Sequence, residues 1–378
     1  MEPDSVGLLV LLFLAAIGAV VAAVLLRHIA VKVVGGVLAL ALAATGGMAI
    51  VNDYYGYYQT WSQLSADLSG SYASFNSTPV AVRTAGALRA GQLRTVTLAG
   101  RRSGITRRGI VYLPPQYFER RYAHTRFPVV ELLHGSPGKP LDWIVHLRVA
   151  GIMNHLLAGH QIGPLILVMP ASNAAHHFEE CVNAPGAADD TYISADVPDD
   201  VRHLFRASRD PAEWGIAGYS SGGYCAANLA LRHRASYGAA GIMDGYFRPT
   251  DGEAAGALRG DPVAEAANNP LLSASGLARD VWPLPSFWLA AGSGNAADLS
   301  ASRALASALH GVEQVTLYRE PGAGHNFYAW EPAVPRMLAW MWTQLAAPAL
   351  RVQFPIAGPV RHAVFAAPGA GRKPPLSG

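Results

Sequence analysis

"WGIAGYSSGGYCAANLAL", residues 214–231, joins two apolar runs of different period through a turn rich in glycine. The first run, with its β-branched and aromatic residues, reads as a buried strand, and the last reads as a helix. Between them Gly218-Tyr219-Ser220-Ser221-Gly222 forms a Gly-x-Ser-x-Gly pattern. A turn this sharp holds its central residue in a backbone conformation costing roughly 1–3 kcal/mol, and side chains at the flanking positions would strike the neighbouring strand and helix. The result is an exposed Ser220 hydroxyl at the top of a sheet, with a helix N-terminus behind it. In a chain of 378 residues with 39 glycines, the pentapeptide alone is weak, and its surroundings must decide.

Strand-like runs occur at 93–100, 108–114, 127–135, 164–170, 213–220, 238–245, 285–292 and 313–320. Several are apolar throughout, as strands covered on both faces are. Helical patterns at 222–235, 297–311 and 332–345 separate the later strands. This alternation predicts an α/β fold with a mostly parallel sheet and helices on both faces, and eight strands fit the α/β-hydrolase plan.

A serine hydroxyl attacks only when a base takes its proton. His325, in the Gly-rich "YREPGAGHNFYAW" after the last strand, is the expected base. The chain order Ser, acid, His puts the acid between them. Asp298, a short loop beyond "SFWLAAG", is the first choice, although its position also suits a helix N-cap. Asp244, closing the preceding strand in "GIMDGYF", is the alternative acid. The oxyanion requires two N–H donors: the amide of Ser221 and, from "LLHGSPG" at 132–138, that of Ser136, because Pro137 has no N–H to offer. His134 is expected to support this loop. The pair His176-His177 lacks a third ligand at useful spacing, so no metal is expected, and this chemistry needs no cofactor.

Composition adds an address. The chain is 51% hydrophobic and 15% charged, with a mean hydropathy of +0.19. The excess lies in two runs, 6–26 and 29–51, each long enough to cross a hydrocarbon core of about 30 Å. Arg27, His28 and Lys32 cluster around the connector, whereas Glu2 and Asp4 precede the first run. The positive-inside tendency then predicts a two-helix transmembrane hairpin with both ends outward and an extracytoplasmic catalytic domain. A cleaved signal ending at "ALA" 39–41 is disfavoured by the acidic start and the doubled apolar run. "YYGYYQTW" at 54–61 suits an interfacial belt within a juxtamembrane linker, 53–92, where the sequon at 76–78 reads as chance. The catalytic domain spans 93–346, followed by a Pro/Gly-rich tail, 347–378, with one short strand at most. A net charge of +3 without a basic cluster argues against nucleic-acid binding. In an outward-facing domain Cys181 and Cys225 form either a disulfide, contributing on the order of 4 kcal/mol, or two separate buried thiols.

"VYLPPQYF", "FPVVELLHGSPGKPLDW", "DVPDDVRHLF", "WGIAGYSSGGYCAANLAL" and "GAGHNFYAW" together resemble the esterase-D-type branch of the α/β-hydrolases, which includes mycolyltransferases and membrane-anchored actinobacterial esterases. The similarity covers residues 93–346. It implies a serine, an acid and a histidine acting on carboxylic esters, carried here by Ser220, Asp298 and His325. "EECVNAP" and "GGYCAANL" resemble relatives whose two cysteines are bonded, which implies a Cys181–Cys225 disulfide. The expected function is hydrolysis of lipid or cell-envelope esters through an acyl-serine. The alternatives are acyl transfer to a sugar or glycolipid hydroxyl, for which no acceptor residues are identifiable, and a catalytically silent envelope scaffold. The expected partners are an ester substrate and the lipid bilayer.

Overall fold

The computed structural model describes residues 1–26, 28–69, 90–172, 180–252, 254–258, 260–276, 284–309, 315–321 and 324–356. Arg27, the sequon at 76–78, His176-His177 and most of the tail lie outside the described residues. Two compact units divide the chain, one built on residues 1–72 and the other on the sheet that follows.

The N-terminal unit is a pair of helices, Val6–Leu25 and Ile29–Tyr55, with mean hydropathies of 3.1 and 2.1. Ser5 caps the first, its side chain accepting the Leu8 N–H at 3.3 Å. The helices meet where Gly35 lacks a side chain: a Cβ there would lie 2.8 Å from Ala23 Cβ and 3.1 Å from the Ala19 carbonyl. Their other faces leave large apolar side chains uncovered, such as Leu40, which is 73% exposed. The second helix outruns its expected end at Val51 and stops at Tyr55, because Gly56 takes the left-handed φ of 66° that closes a helix. The expected linker contains a further helix, Trp61–Ser69. Its cause is a capping box: Thr60 Oγ1 accepts the Gln63 N–H at 3.3 Å, and Gln63 Oε1 accepts the Thr60 N–H at 3.0 Å.

The second unit is an eight-stranded sheet. Its strands are β1 (Gln92–Ala99), β2 (Thr106–Leu113), β3 (Val129–Leu133), β4 (Ile166–Pro170), β5 (Trp214–Tyr219), β6 (Ala239–Met243), β7 (Ser286–Gly292) and β8 (Val315–Glu320). The spatial order is 1-2-4-3-5-6-7-8. β2 runs antiparallel to both β1 and β4, and the remaining pairings are parallel. All eight strands lie where the apolar runs predict them. β3, β4, β5 and β6 are buried along their whole length, which explains why they read as apolar runs, broken in β3 only by the buried Glu131. β8, at the edge, is largely uncovered.

The helix Ser221–Arg232 is buried from Ser221 to Leu231. Small residues on it permit this, since a Cβ on Gly222 would collide with the carbonyl oxygens of Leu133 and His134 at the end of β3. Cys225 on the same helix is bonded to Cys181 with Cα atoms 5.6 Å apart. The described part of the tail forms a helix, Pro348–Gln353, with Pro348 at its first position where no N–H is needed.

Candidate active site

Ser220 connects β5 to the buried helix with φ 55° and ψ −123°, a left-handed conformation that a β-carbon resists. Three hydrogen bonds hold it there. Its N–H donates to the Met243 carbonyl at 2.9 Å, and its carbonyl accepts from Gly223 at 2.9 Å and Tyr224 at 3.1 Å. Gly218 and Gly222 face each other across the turn, and a Cβ on Gly218 would run into the Gly222 carbonyl. The strain expected from the Gly-x-Ser-x-Gly pattern is therefore present, and backbone contacts on both sides sustain it.

His325 lies just before the helix Phe327–Leu345. Its Nε2 is 2.8 Å from Ser220 Oγ, and its Nδ1 is 2.8 Å from Asp298 Oδ2. This geometry assigns the proton to Nδ1, which donates to the carboxylate, and leaves Nε2 to accept the serine proton. Burial disfavours the imidazolium, yet the hydrogen bond to Asp298 and the charges of Asp298 and Asp244 outweigh it and hold His325 above its ordinary value.

Asp298 is free for this contact because Asn295 caps its helix, accepting the N–H groups of Ala297 at 3.0 Å and Asp298 at 3.3 Å. The N-cap reading of Asp298 thus gives way to Asn295. Asp244 does not hold the imidazole; its oxygens accept the Gly292 N–H at 3.0 Å and the Trp330 indole N–H at 2.7 Å.

The loop after β3 lies against Ser220, since a Cβ on Gly135 would stand 2.8 Å from the Tyr219 ring and 3.3 Å from Ser220 Cβ. Ser136 follows directly, joined to Pro137 by a cis peptide. Ser221 is the first residue of its helix, so its N–H falls outside the intrahelical ladder. His134 does support the loop: Nδ1–H donates to the Gly135 carbonyl at 2.8 Å, and Nε2 accepts the Ser172 N–H at 3.2 Å. Burial pushes its pKa down to about 4, which makes it a neutral strut. Asp142 completes the support by accepting the Lys139 N–H at 2.9 Å and the Tyr219 hydroxyl at 3.4 Å.

Asp142, Ser172 and Trp330 were not singled out from sequence. Each acts through a tertiary contact, and the available signal was the Asp-Trp of "KPLDW" and the Trp ending "GHNFYAW". Asp244, Asp298 and His325 bring ligand-type atoms within 4.8 Å of one another. Both imidazole nitrogens and both Asp244 oxygens are engaged in hydrogen bonds to Ser220, Asp298, Gly292 and Trp330.

The Esterase family model matches residues 102–341. An uncharacterized protein of Corynebacterium glutamicum is 27% identical over 316 residues, covering 79% of this chain and 74% of the relative. Among solved structures, a ferulic acid esterase superposes with a TM-score of 0.57 at 20% identity, covering 68% of this chain and 99% of that one. An S-formylglutathione hydrolase from Agrobacterium tumefaciens gives 0.57 at 16% identity, covering 69% and 98%. A fluorophosphonate-binding serine hydrolase of Staphylococcus aureus gives 0.56 at 20%, covering 67% and 98%. These structures share the α/β-hydrolase fold, and with the match over most of the sheet domain the chain belongs to the Esterase family, as a carboxylic ester hydrolase.

Proposed function

We propose that the protein hydrolyses carboxylic esters through an acyl-Ser220 intermediate. The observation that carries this reading is the continuous hydrogen-bonded line from Ser220 Oγ through His325 to Asp298, with both links at 2.8 Å. Ser220 Oγ adds to the ester carbonyl carbon as its proton passes to His325 Nε2, and the carbonyl π electrons move onto oxygen. The N–H groups of Ser221 and Ser136 receive that oxyanion. As it collapses, the alkoxy C–O bond breaks and the imidazolium returns its proton to the leaving alcohol. Water then repeats the sequence on the acyl-enzyme, releasing the acid and restoring Ser220.

Asp298 keeps the imidazole in the productive tautomer and balances its charge while it is protonated. The two apolar helices support attachment to a bilayer, with the sheet domain on the extracytoplasmic side, where a disulfide persists. That address favours lipid or envelope esters as substrates.

Turnover of p-nitrophenyl esters of graded chain length, with mass analysis of the acyl-enzyme, tests the reading. Ser220→Ala is expected to lose activity by about 10⁴-fold or more, and retention of activity by that variant would refute it. Product analysis with a sugar acceptor present separates hydrolysis from transfer. Protease protection in sealed vesicles tests the orientation, since a sheet domain shielded in right-side-out vesicles would contradict it.

A further inference from the structure

Asp244 ends β6 with a left-handed φ of 46° and is 1% exposed. Its surroundings touch the segments that carry Ser220, His325 and Asp298. The residue before it, Met243, accepts the Ser220 N–H through its carbonyl at 2.9 Å, and the Asp244 N–H donates to the Ala290 carbonyl of β7 at 2.9 Å. Asp244 Oδ1 accepts the N–H of Gly292, the last residue of β7, from which the chain proceeds to Asp298. Asp244 Oδ2 accepts the indole N–H of Trp330 at 2.7 Å. That indole stands edge-on to the His325 ring with centroids 5.2 Å apart. It also packs against Tyr219, the residue preceding the nucleophile, at 4.6 Å.

We propose that Asp244 is a positioning residue for the reaction: through Trp330 it sets the plane of the His325 imidazole, and through Gly292 it ties the Asp298 loop to the strand beside the elbow. The inference rests on the Ser220–His325–Asp298 reading above. Asp244 also acts through its charge, because a carboxylate oxygen of Asp244, one of Asp298 and a ring nitrogen of His325 lie within 4.8 Å of one another. Burial, then the charge of Asp298, raises the Asp244 carboxyl to about 6, against the Gly292 and Trp330 hydrogen bonds and the His325 charge. Above that pH it is an anion, and it joins Asp298 as the second negative group favouring the His325 imidazolium.

The test uses the full-length protein in detergent micelles with p-nitrophenyl acetate as probe. Asp244→Asn is expected to lower kcat by about tenfold to a hundredfold, the scale of a small misalignment, with KM changed by less than about twofold. The acidic limb of its kcat/KM profile is expected to move to lower pH, because the imidazole loses a neighbouring negative charge. Trp330→Phe keeps the ring and deletes the donor, and should lower kcat less, again with little change in KM. Wild-type kinetics and an unmoved limb in Asp244→Asn overturn the proposal. So does a variant that loses only thermal stability. Should Asp244→Asn fail to fold, Trp330→Phe decides: reduced kcat at unchanged KM and melting temperature supports the proposal, and unchanged kcat overturns it. Ser220→Ala, run in parallel, separates the two readings. Activity there removes the serine mechanism itself, whereas an inactive Ser220→Ala beside a wild-type-like Asp244→Asn removes only the role given to Asp244.

Discussion

Asp244 ends β6 and Asp298 sits in the helix that follows the neighbouring β7, both close to the same imidazole, yet their surroundings differ. Asp298 sits on a capped helical turn with 16% of its side chain exposed and gives one oxygen to His325. Asp244 is sealed in and spends both oxygens on the protein's own N–H groups. A buried carboxylate with two internal donors is costly to disturb, whereas one that is partly solvated can follow the charge of its partner during a reaction. Chain order alone admits either residue as the acid; the hydrogen bond to His325 comes from Asp298, whereas Asp244 accepts from Gly292 and Trp330.

Substitutions at the two positions should therefore fail in different ways. The largest effect is expected in Asp298→Asn, which presents the wrong tautomer partner to His325 and should lower kcat by about 10⁴-fold while leaving the melting temperature nearly unchanged. Equal losses in Asp298→Asn and Asp244→Asn would abolish the distinction. Next comes stability. Asp244→Ala leaves the Trp330 and Gly292 donors buried without an acceptor and should cost about 2–4 kcal/mol in chemical denaturation, whereas Asp298→Ala should cost about 1 kcal/mol or less. The smallest effect concerns pH in the wild-type protein. Only neutral His325 can accept the serine proton, and its pKa is raised, so kcat/KM should begin to fall at a pH higher than the ordinary histidine value of about 6.5. A pH–rate profile with its acidic limb below that value would contradict the combined field of the two carboxylates.

Much of this site is legible in sequence because its parts are local. The elbow needs Gly218 and Gly222 within a single turn, and His325 follows the last strand in a loop whose composition marks it. The strands are legible for the same reason, since full burial leaves β3 to β6 almost wholly apolar, with Glu131 in β3 the charged exception. The supports are not local. Trp330 reaches back to Asp244, Asp142 reaches the hydroxyl of Tyr219, and His134 reaches Ser172; no spacing encodes such pairings. The Asn295 cap and the Thr60–Gln63 box are local, each lying within four residues of chain, and so are of the kind that sequence encodes.

The bond between Cys181 and Cys225 closes 44 residues and ends on the helix that follows the nucleophile. By loop entropy it contributes about 4 kcal/mol, a large share of the 5–15 kcal/mol by which domains of ordinary size hold together. A copy that folds among reduced thiols forgoes that share and populates open forms more often, within reach of proteases. Maturation of the catalyst is thereby coupled to oxidation, and a preparation of the reduced chain should regain its full melting temperature when an oxidant is supplied.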